Sequence, residues 1–389
     1  MKDVTISNDI IYIGADDKDI DLFENQYIVP NGVSYNSYVI IDEKIAIMDT
    51  IDKRKTEEWL NNLEKALNGR KPDYLVISHL EPDHAGNIGT VVEKYPDIKL
   101  VGNNKTFAFL PQFFDIDNID ARKIEVKEGD ILELGKHRLH FVMAPMVHWP
   151  EVMMEYEETE KILFSADGFG KFGSLDTEED WDCEARRYYF NIVGKYGAQV
   201  QAVLKKASQL DIKMICPLHG PILKENLEHY IEKYDIWSKY ESETEGIYIA
   251  CASIHGNTMK VCEKLKEILE EKGAKKVVLA DLSREDWAEA VEDSFRYGKI
   301  VFASATYNME IFTPMRDLLL NLKEKNYQNK KVALIENGTW APNAAKCMKE
   351  ILSTMKNVEI VEPIVTVKSA LKRENIEQLN LLAETLLKD

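Results

Sequence analysis

Tyr74-Leu75-Val76-Ile77-Ser78-His79-Leu80-Glu81-Pro82-Asp83-His84 is the stretch that decides how this chain folds. An apolar run that ends in clustered polar residues is a buried strand delivering those residues at its C-terminal end. His79, Glu81, Asp83 and His84 are four potential metal ligands within six residues. His79 and Glu81 are two apart, so on an extended backbone they project the same way. Pro82 breaks the strand and lets Asp83 and His84 aim elsewhere. One metal needs only one such pair plus partners from outside, so two pairs aimed at different points suggest two metals side by side. A lone histidine after a strand is usually a satisfied core residue, but four ligand types packed this tightly point to metal.

The same grammar recurs downstream. The apolar run 139–144 ends in Pro145-Met146-Val147-His148, the run 162–165 in Ala166-Asp167-Gly168, and the run 214–216 in Pro217-Leu218-His219-Gly220. Each is a strand, then a His or Asp, then a Pro or Gly nearby that turns the chain, as an active site at one edge of a sheet sandwich requires. His148 or His219 alone would be a core or turn histidine, and their shared placement raises both to ligands. His137 and His140 lack that context and read as an ordinary strand face.

A chain of 389 residues is too long for one ordinary core, so two domains are expected. The polar stretch 241–246 marks the boundary, giving domains 1–245 and 246–389. Before it, short apolar runs at 38–41, 45–49, 75–78, 99–101, 139–144, 162–165 and 214–217 are interspersed with helical patterns at 56–67, 88–94 and 184–209. That order predicts an α/β sandwich with mixed sheets. After it, strands at 247–252, 276–281, 299–304, 331–336 and 358–367 alternate with helices near 257–272, 285–293, 314–324, 343–355 and 373–388. This alternation predicts an open, doubly wound parallel sheet, with ligands beyond the C-terminal strand ends.

The net charge of −18, from 67 acids against 49 bases, argues against nucleic-acid or anionic-membrane partners, which need a basic footprint. No run approaches the ~20 apolar residues of a membrane span, and no leader pattern opens the chain, so a cytoplasmic protein is expected. The cysteines, Cys183, Cys216, Cys251, Cys262 and Cys347, form no Cys-x-x-Cys pair. A zinc ribbon or rubredoxin-type iron site is therefore not expected, and any partner with cysteine-bound iron must be a separate protein.

In the second half, Ser253-Ile254-His255-Gly256-Asn257-Thr258 joins the first strand to its helix. Gly256 permits a tight turn, and Ser253, His255 and Thr258 with the free N–H groups of the helix start can ring a phosphate dianion. A plain helix cap would explain this loop alone; two further loops argue against that. The third strand leads into Ala303-Ser304-Ala305-Thr306-Tyr307-Asn308, and the fourth into Glu336-Asn337-Gly338-Thr339-Trp340-Ala341. Polar groups with an aromatic at strand ends suit a flat ring that needs stacking and hydrogen bonds to its heteroatoms. No triphosphate or dinucleotide loop is present. Whether Tyr307 or Trp340 stacks such a ring stays open.

Taken together, His79-x-Glu81-x-Asp83-His84, His148, Asp167 and His219 resemble the flavodiiron proteins, and the three loops resemble those of flavodoxin. The resemblance spans essentially the whole chain. It implies a metallo-β-lactamase-like αββα di-iron domain followed by a flavodoxin-like FMN domain. It also implies one non-haem iron on His79, Glu81 and His148, another on Asp83, His84 and His219, and Asp167 bridging them beside a hydroxide or oxo group. Hydrolases of that fold have histidine where Glu81 stands, and an oxygen-rich set favours iron or manganese over zinc. Two ferrous ions (+4), three carboxylates (−3) and a hydroxide (−1) sum to zero, which makes burial tolerable. One departure concerns spacing: 219 − 167 = 52, shorter than is common in the family, whereas 229 − 167 = 62. His219 is preferred over His229 for its His-Gly-Pro context, and a deletion between Gly173 and Asp182 would account for the difference.

The expected activity is transfer of electrons from an external donor through FMN to the di-iron site, reducing O2 to water or NO to N2O. Rubredoxin, an NADH-linked reductase and reduced deazaflavin are candidate donors. The resemblance further implies a head-to-tail homodimer, or a dimer of dimers. Two rival readings are a di-zinc hydrolase with a regulatory flavodoxin, and a flavin electron carrier whose first domain is a docking scaffold. Metal analysis tests the first, and the activity of His84→Ala tests the second.

Overall fold

In the computed structural model, which describes residues 4 and 6–388, the chain divides into two compact units. The first holds the chain up to Tyr189 together with Ala198–Asp235; the second holds Phe190–Gly197 and the chain from Ile236 onward. The expected start of the second domain at 246 falls inside the strand Thr244–Ala252. Among the described residues, no helix is long and apolar enough to cross a membrane.

In the first unit, a six-stranded sheet has the order Ile10–Tyr12, Tyr38–Ile40, Ala46–Met48, Tyr74–Val76, Lys99–Gly102 and Lys123–Glu125. A five-stranded sheet has the order Ile131–Glu133, Arg138–Met143, Met153–Glu157, Ile162–Phe164 and Met214–Cys216. Tyr38, Met48, Val76 and Val101 of one sheet share a buried apolar cluster with Phe141, Met153, Phe164 and Cys216 of the other. The two sheets therefore meet face to face over one core. Tyr74–Val76 runs parallel to both neighbours, a buried arrangement that suits an uninterrupted apolar run. Within the second sheet, Arg138–Met143, Ile162–Phe164 and Met214–Cys216 point the same way, so their C-terminal ends share an edge.

Sequence reading missed Met153–Glu157, because Glu155 and Glu157 interrupt its apolar run although all five residues are buried. The helix expected over 184–209 is broken into Trp181–Tyr188, a wide π turn at Tyr189–Val193, a tight turn at Gly194–Tyr196 and Gly197–Ala207. Two glycines three apart weaken a helix at that point.

The second unit is a parallel sheet in the order Val277–Asp281, Thr244–Ala252, Tyr297–Tyr307, Lys330–Asn337 and Val358–Ile360. The expected last strand, 358–367, is two short ones, Val358–Ile360 and Val365–Val367, both paired with Lys330–Asn337. Pro363 lies between them and cannot donate to a ladder. The third strand runs further than expected: Ala305, Thr306 and Tyr307 belong to it, and it folds back at Asn308-Met309 to pair with Glu310–Ile311. Helices Asn257–Glu271 and Arg373–Leu387 bury Leu265, Leu269, Leu379 and Leu382 in one cluster with the strands.

Candidate metal centre and flavin loops

Four strand ends build the first site. Past Tyr74–Val76, the Ser78 backbone N–H donates to Asp49 Oδ1 at 2.8 Å, anchoring the ligand loop. Pro82 then opens the short helix Pro82–Ala85, a position where its missing N–H costs nothing. That turn swings Asp83 and His84 away from His79 and Glu81, and the His84 carbonyl accepts from Thr50 Oγ1 at 2.6 Å. His148 comes from the turn after Arg138–Met143, Asp167 from the turn after Ile162–Phe164, and His219 from the turn after Met214–Cys216. Asn36 Nδ2 holds the His219 turn by donating to the carbonyls of Pro217 and Gly220, both at 2.8 Å.

The residues converge as two groups: His79, Glu81, His148 and Asp167, and Asp83, His84 and His219. Asp167 faces both. Its Oδ2 lies 3.3 Å from Nε2 of His79 and 3.3 Å from Nε2 of His148, and its Oδ1 lies 3.2 Å from His84 and 3.8 Å from His219. Glu81 Oε2 closes the first group at 3.2 Å from His79 and 3.0 Å from His148. Asp83 Oδ2 closes the second at 3.3 Å from His84 and 3.1 Å from His219. Donors ~2.1 Å from a shared ion, at about 90–110° to one another, stand roughly 3.0–3.4 Å apart. The side chains therefore fit an ion in each group.

Hydrogen bonding alone leaves this site unsatisfied. Both oxygens of Asp83, both of Asp167 and both ring nitrogens of His84 are buried without a hydrogen-bond partner. Such orphaned groups are costly unless something else binds them. Burial disfavours charge on His148, but the nearby carboxylates of Asp167 and Glu81 outweigh it, and the imidazole is pushed up to about 9. On Asp167 burial acts upward, yet His79 and His84 hold the carboxyl well below its usual value. A cavity of about 310 Å³, lined by Phe23, Glu24, Tyr35, Arg54, Glu81 and Asp83 among others, opens on the carboxylate side.

His229 does not join the site. It lies on the helix Leu227–Ser238 and bonds Asp182 Oδ1 at 2.6 Å. His140 sits beside Glu158, and His137, though fully buried, bonds Asp42 at 2.8 Å. Asp9, His137 and Glu160 also come together, but the Lys136 ammonium already lies 2.7 Å from Asp9 and 3.9 Å from Glu160.

Sequence reading missed Glu151, whose Oε1 accepts from His79 Nδ1 at 2.8 Å and from the Leu80 N–H at 3.0 Å. Burial works against its charge, but the His79 bond prevails and lowers its pKa. Its only signal in sequence was its place three residues after His148. Asp49 was also missed; burial raises it to about 6.

The three loops of the second unit follow its first, third and fourth strands. Gly256 has φ +84°, the left-handed region that favours glycine, and opens the helix Asn257–Glu271; its N–H donates to Ser253 Oγ at 3.1 Å. The backbone at Gly256 is bare on the side a Cβ would occupy, with nothing within 4 Å. Ile254 is exposed and His255 lies beside it at the turn, while Thr258 is buried in the helix start. Thr306 Oγ1 accepts the N–H groups of Asn343 and Ala344 at 3.0 and 3.1 Å, fastening the third and fourth loops together. Asn337 bonds the Ser369 backbone in both directions, and Thr339 bonds the Ser369 hydroxyl at 2.7 Å. Asn308 turns the third loop with φ 51°, and Gly338 follows Asn337. Tyr307 is 50% exposed and Trp340 72%, leaving two large rings uncovered beside these loops.

Comparison with known proteins points to one family. Residues 33–220 match the family model described as ODP family beta lactamase. A nitric oxide reductase of Moorella thermoacetica is 30% identical over 389 residues, covering 96% of each chain. The rubredoxin oxygen:oxidoreductase of Desulfovibrio gigas superposes with a TM-score of 0.91 at 26% identity, over 98% of this chain and 97% of that one. A flavo di-iron protein variant from Thermotoga maritima gives 0.87 at 26% identity, over 97% and 96%. With the likeness running end to end through both units, the chain belongs to the flavodiiron proteins, a family of oxidoreductases.

Proposed function

We propose that this protein carries electrons through FMN to a pair of non-haem irons and reduces O2 to water, NO to N2O, or both. His79, Glu81 and His148 hold one iron, Asp83, His84 and His219 the other, and Asp167 spans them. The observation that carries this reading is Asp167, whose two carboxylate oxygens each face a separate histidine pair while lacking any hydrogen-bond partner. When bound, the irons supply the redox chemistry that no side chain here can perform. The protein's own residues set the two positions, bury the histidines, and leave approach from the cavity that reaches Glu81 and Asp83.

FMN takes its phosphate at Ser253, Ile254, His255, Gly256, Asn257 and Thr258, and its ring beside Ala305, Thr306, Tyr307, Asn308, Asn337, Gly338, Thr339 and Trp340. The open backbone at Gly256 and the uncovered rings of Tyr307 and Trp340 support this. An external donor of the rubredoxin, NADH-reductase or deazaflavin type supplies the electrons, in a head-to-tail homodimer. None of the five cysteines forms a disulfide, which supports a reducing, cytoplasmic setting.

The test is anaerobic reduction of purified protein, then separate pulses of O2 and NO, with metal and flavin analysis. The flavin should reoxidise rapidly with at least one gas, and the protein should contain iron and FMN. Zinc in place of iron, with reduced flavin indifferent to both gases, would overturn the reading in favour of a hydrolase.

A further inference from the structure

The two halves of the metal centre are backed differently. On one side, His79 Nδ1–H donates to Glu151 Oε1 at 2.8 Å, and both side chains are fully buried. That carboxylate is fixed in place: the Leu80 N–H donates to the same oxygen at 3.0 Å, and Asn103 Nδ2 donates to the Glu151 backbone carbonyl at 2.6 Å. Trp149 stands nearly perpendicular to the His79 ring, 5.2 Å between centroids, and limits its rotation. On the other side, His219 Nδ1 donates to a neutral partner, the Ser34 backbone carbonyl at 2.7 Å. His84 Nδ1 is buried with no partner.

We propose that Glu151 is a positioning residue that makes the two metal sites unequal, strengthening the His79–Glu81–His148 site over the Asp83–His84–His219 site. A carboxylate that accepts the far N–H of a ligating imidazole draws on that proton and leaves the near nitrogen a stronger donor. A backbone carbonyl does this less, and an unpaired N–H not at all. The site behind Glu151 therefore binds a divalent ion more tightly and favours its higher oxidation state. With iron bound, the Asp83–His84–His219 side would be the easier of the two to reduce. The inference rests on the two-metal reading and adds to it an order of filling and of reduction.

The test uses protein stripped of metal by a chelator under anaerobic conditions and titrated with cobalt(II), whose visible absorption reports each site. The unmodified protein should take up two cobalt ions in unequal steps. Glu151→Gln keeps a carbonyl oxygen for His79 but removes the charge. It should weaken the tighter step by about 10–100-fold and leave the other unchanged. Reloaded with iron, the same variant should show one of its two reduction potentials moved upward, read from the mixed-valent magnetic resonance signal.

Equal weakening of both steps, or no change in either, overturns the inference while leaving the two-metal reading intact. Unmodified protein that binds no more than one cobalt sinks both. Melting temperature and flavin content report folding. Should the Gln variant fail to fold, Glu151→Asp, which keeps the charge on a shorter arm, must weaken the same single step to a smaller extent, and unaltered binding in it counts against the proposal.

Discussion

At the proposed metal centre, the histidines hold their protons more tightly than usual. Besides His148, the pKa values of His79 and His84 are raised: burial lowers each, but Asp167 on His79, and Asp83 followed by Asp167 on His84, prevail. A metal-free site therefore binds protons that an ion must displace. A metal-loaded form would carry fewer protons than the metal-free one, so rising pH should favour loading for as long as these histidines still hold protons. Calorimetric titration with cobalt(II) at pH 7, in two buffers of different ionisation enthalpy, should show net proton release. Heats independent of buffer would contradict this. The same scale separates two histidines that sequence spacing confuses. His219→Ala should cost one metal, because it opens the group around Asp83. His229→Ala loses a partly exposed pair with Asp182, a charge that Lys233 still meets at 2.9 Å. It should retain both metals and change stability by about 0–1 kcal/mol. The grouping of the seven candidate ligands was legible because each follows a strand end, where a short apolar run announces it. Glu151 was not, because a carboxylate's role behind a ligand depends on where a turn aims it.

At the scale of elements, legibility followed burial. Strands buried on both faces, such as Tyr74–Val76 and Lys330–Asn337, wrote continuous apolar runs and were read to within a residue or two. Edge strands such as Lys123–Glu125 and Ile131–Glu133 show two exposed residues out of three and left no pattern. The strand Lys330–Asn337 also hides a group that no pattern signals. Lys330 is 3% exposed, its ammonium donates only to the Phe295 carbonyl at 2.8 Å, and burial pulls it down to about 7. In the unfolded chain it titrates near its ordinary 10.5. As pH falls from 10.5 toward 7, the unfolded chain gains a proton that the folded one refuses, so stability declines over that range and levels off below it. Each unit of depression corresponds to about 1.4 kcal/mol, partly offset by the hydrogen bond to Phe295. Lys330→Met should raise stability at pH 7 on the order of 2 kcal/mol and flatten the rise in melting temperature between pH 7 and 10. A variant melting lower than its parent at pH 7, with an unchanged slope, would show that the lysine is stabilising where it stands.

For the whole molecule, the proposed electron path has a consequence that subunit mixing can read. Each proposed site lies at the C-terminal strand rim of its own unit: the seven candidate ligands all come from the first, the three loops all from the second. Metal and flavin should therefore be removable independently. His84→Ala takes away a buried candidate ligand from one group. Gly256→Val forces a β-branched residue to φ +84° and should abolish flavin binding through backbone strain and a blocked phosphate approach, while leaving the metals in place. In a head-to-tail homodimer, the flavin of one subunit works with the metal pair of the other, and a two-fold axis makes both contacts at once. Each variant alone is then inactive, but a mixed dimer joins the sound flavin of the His84→Ala subunit to the sound metal pair of the Gly256→Val subunit. Random exchange makes half the dimers mixed, each with one working pair of two, so activity should recover to about a quarter of the parent's. Transfer within one chain allows no such rescue, because every subunit lacks one end of the path. The measurement is NO or O2 consumption after exchange, with differently tagged subunits to prove mixing. No recovery in a proven mixture would place both ends of the electron path in the same chain.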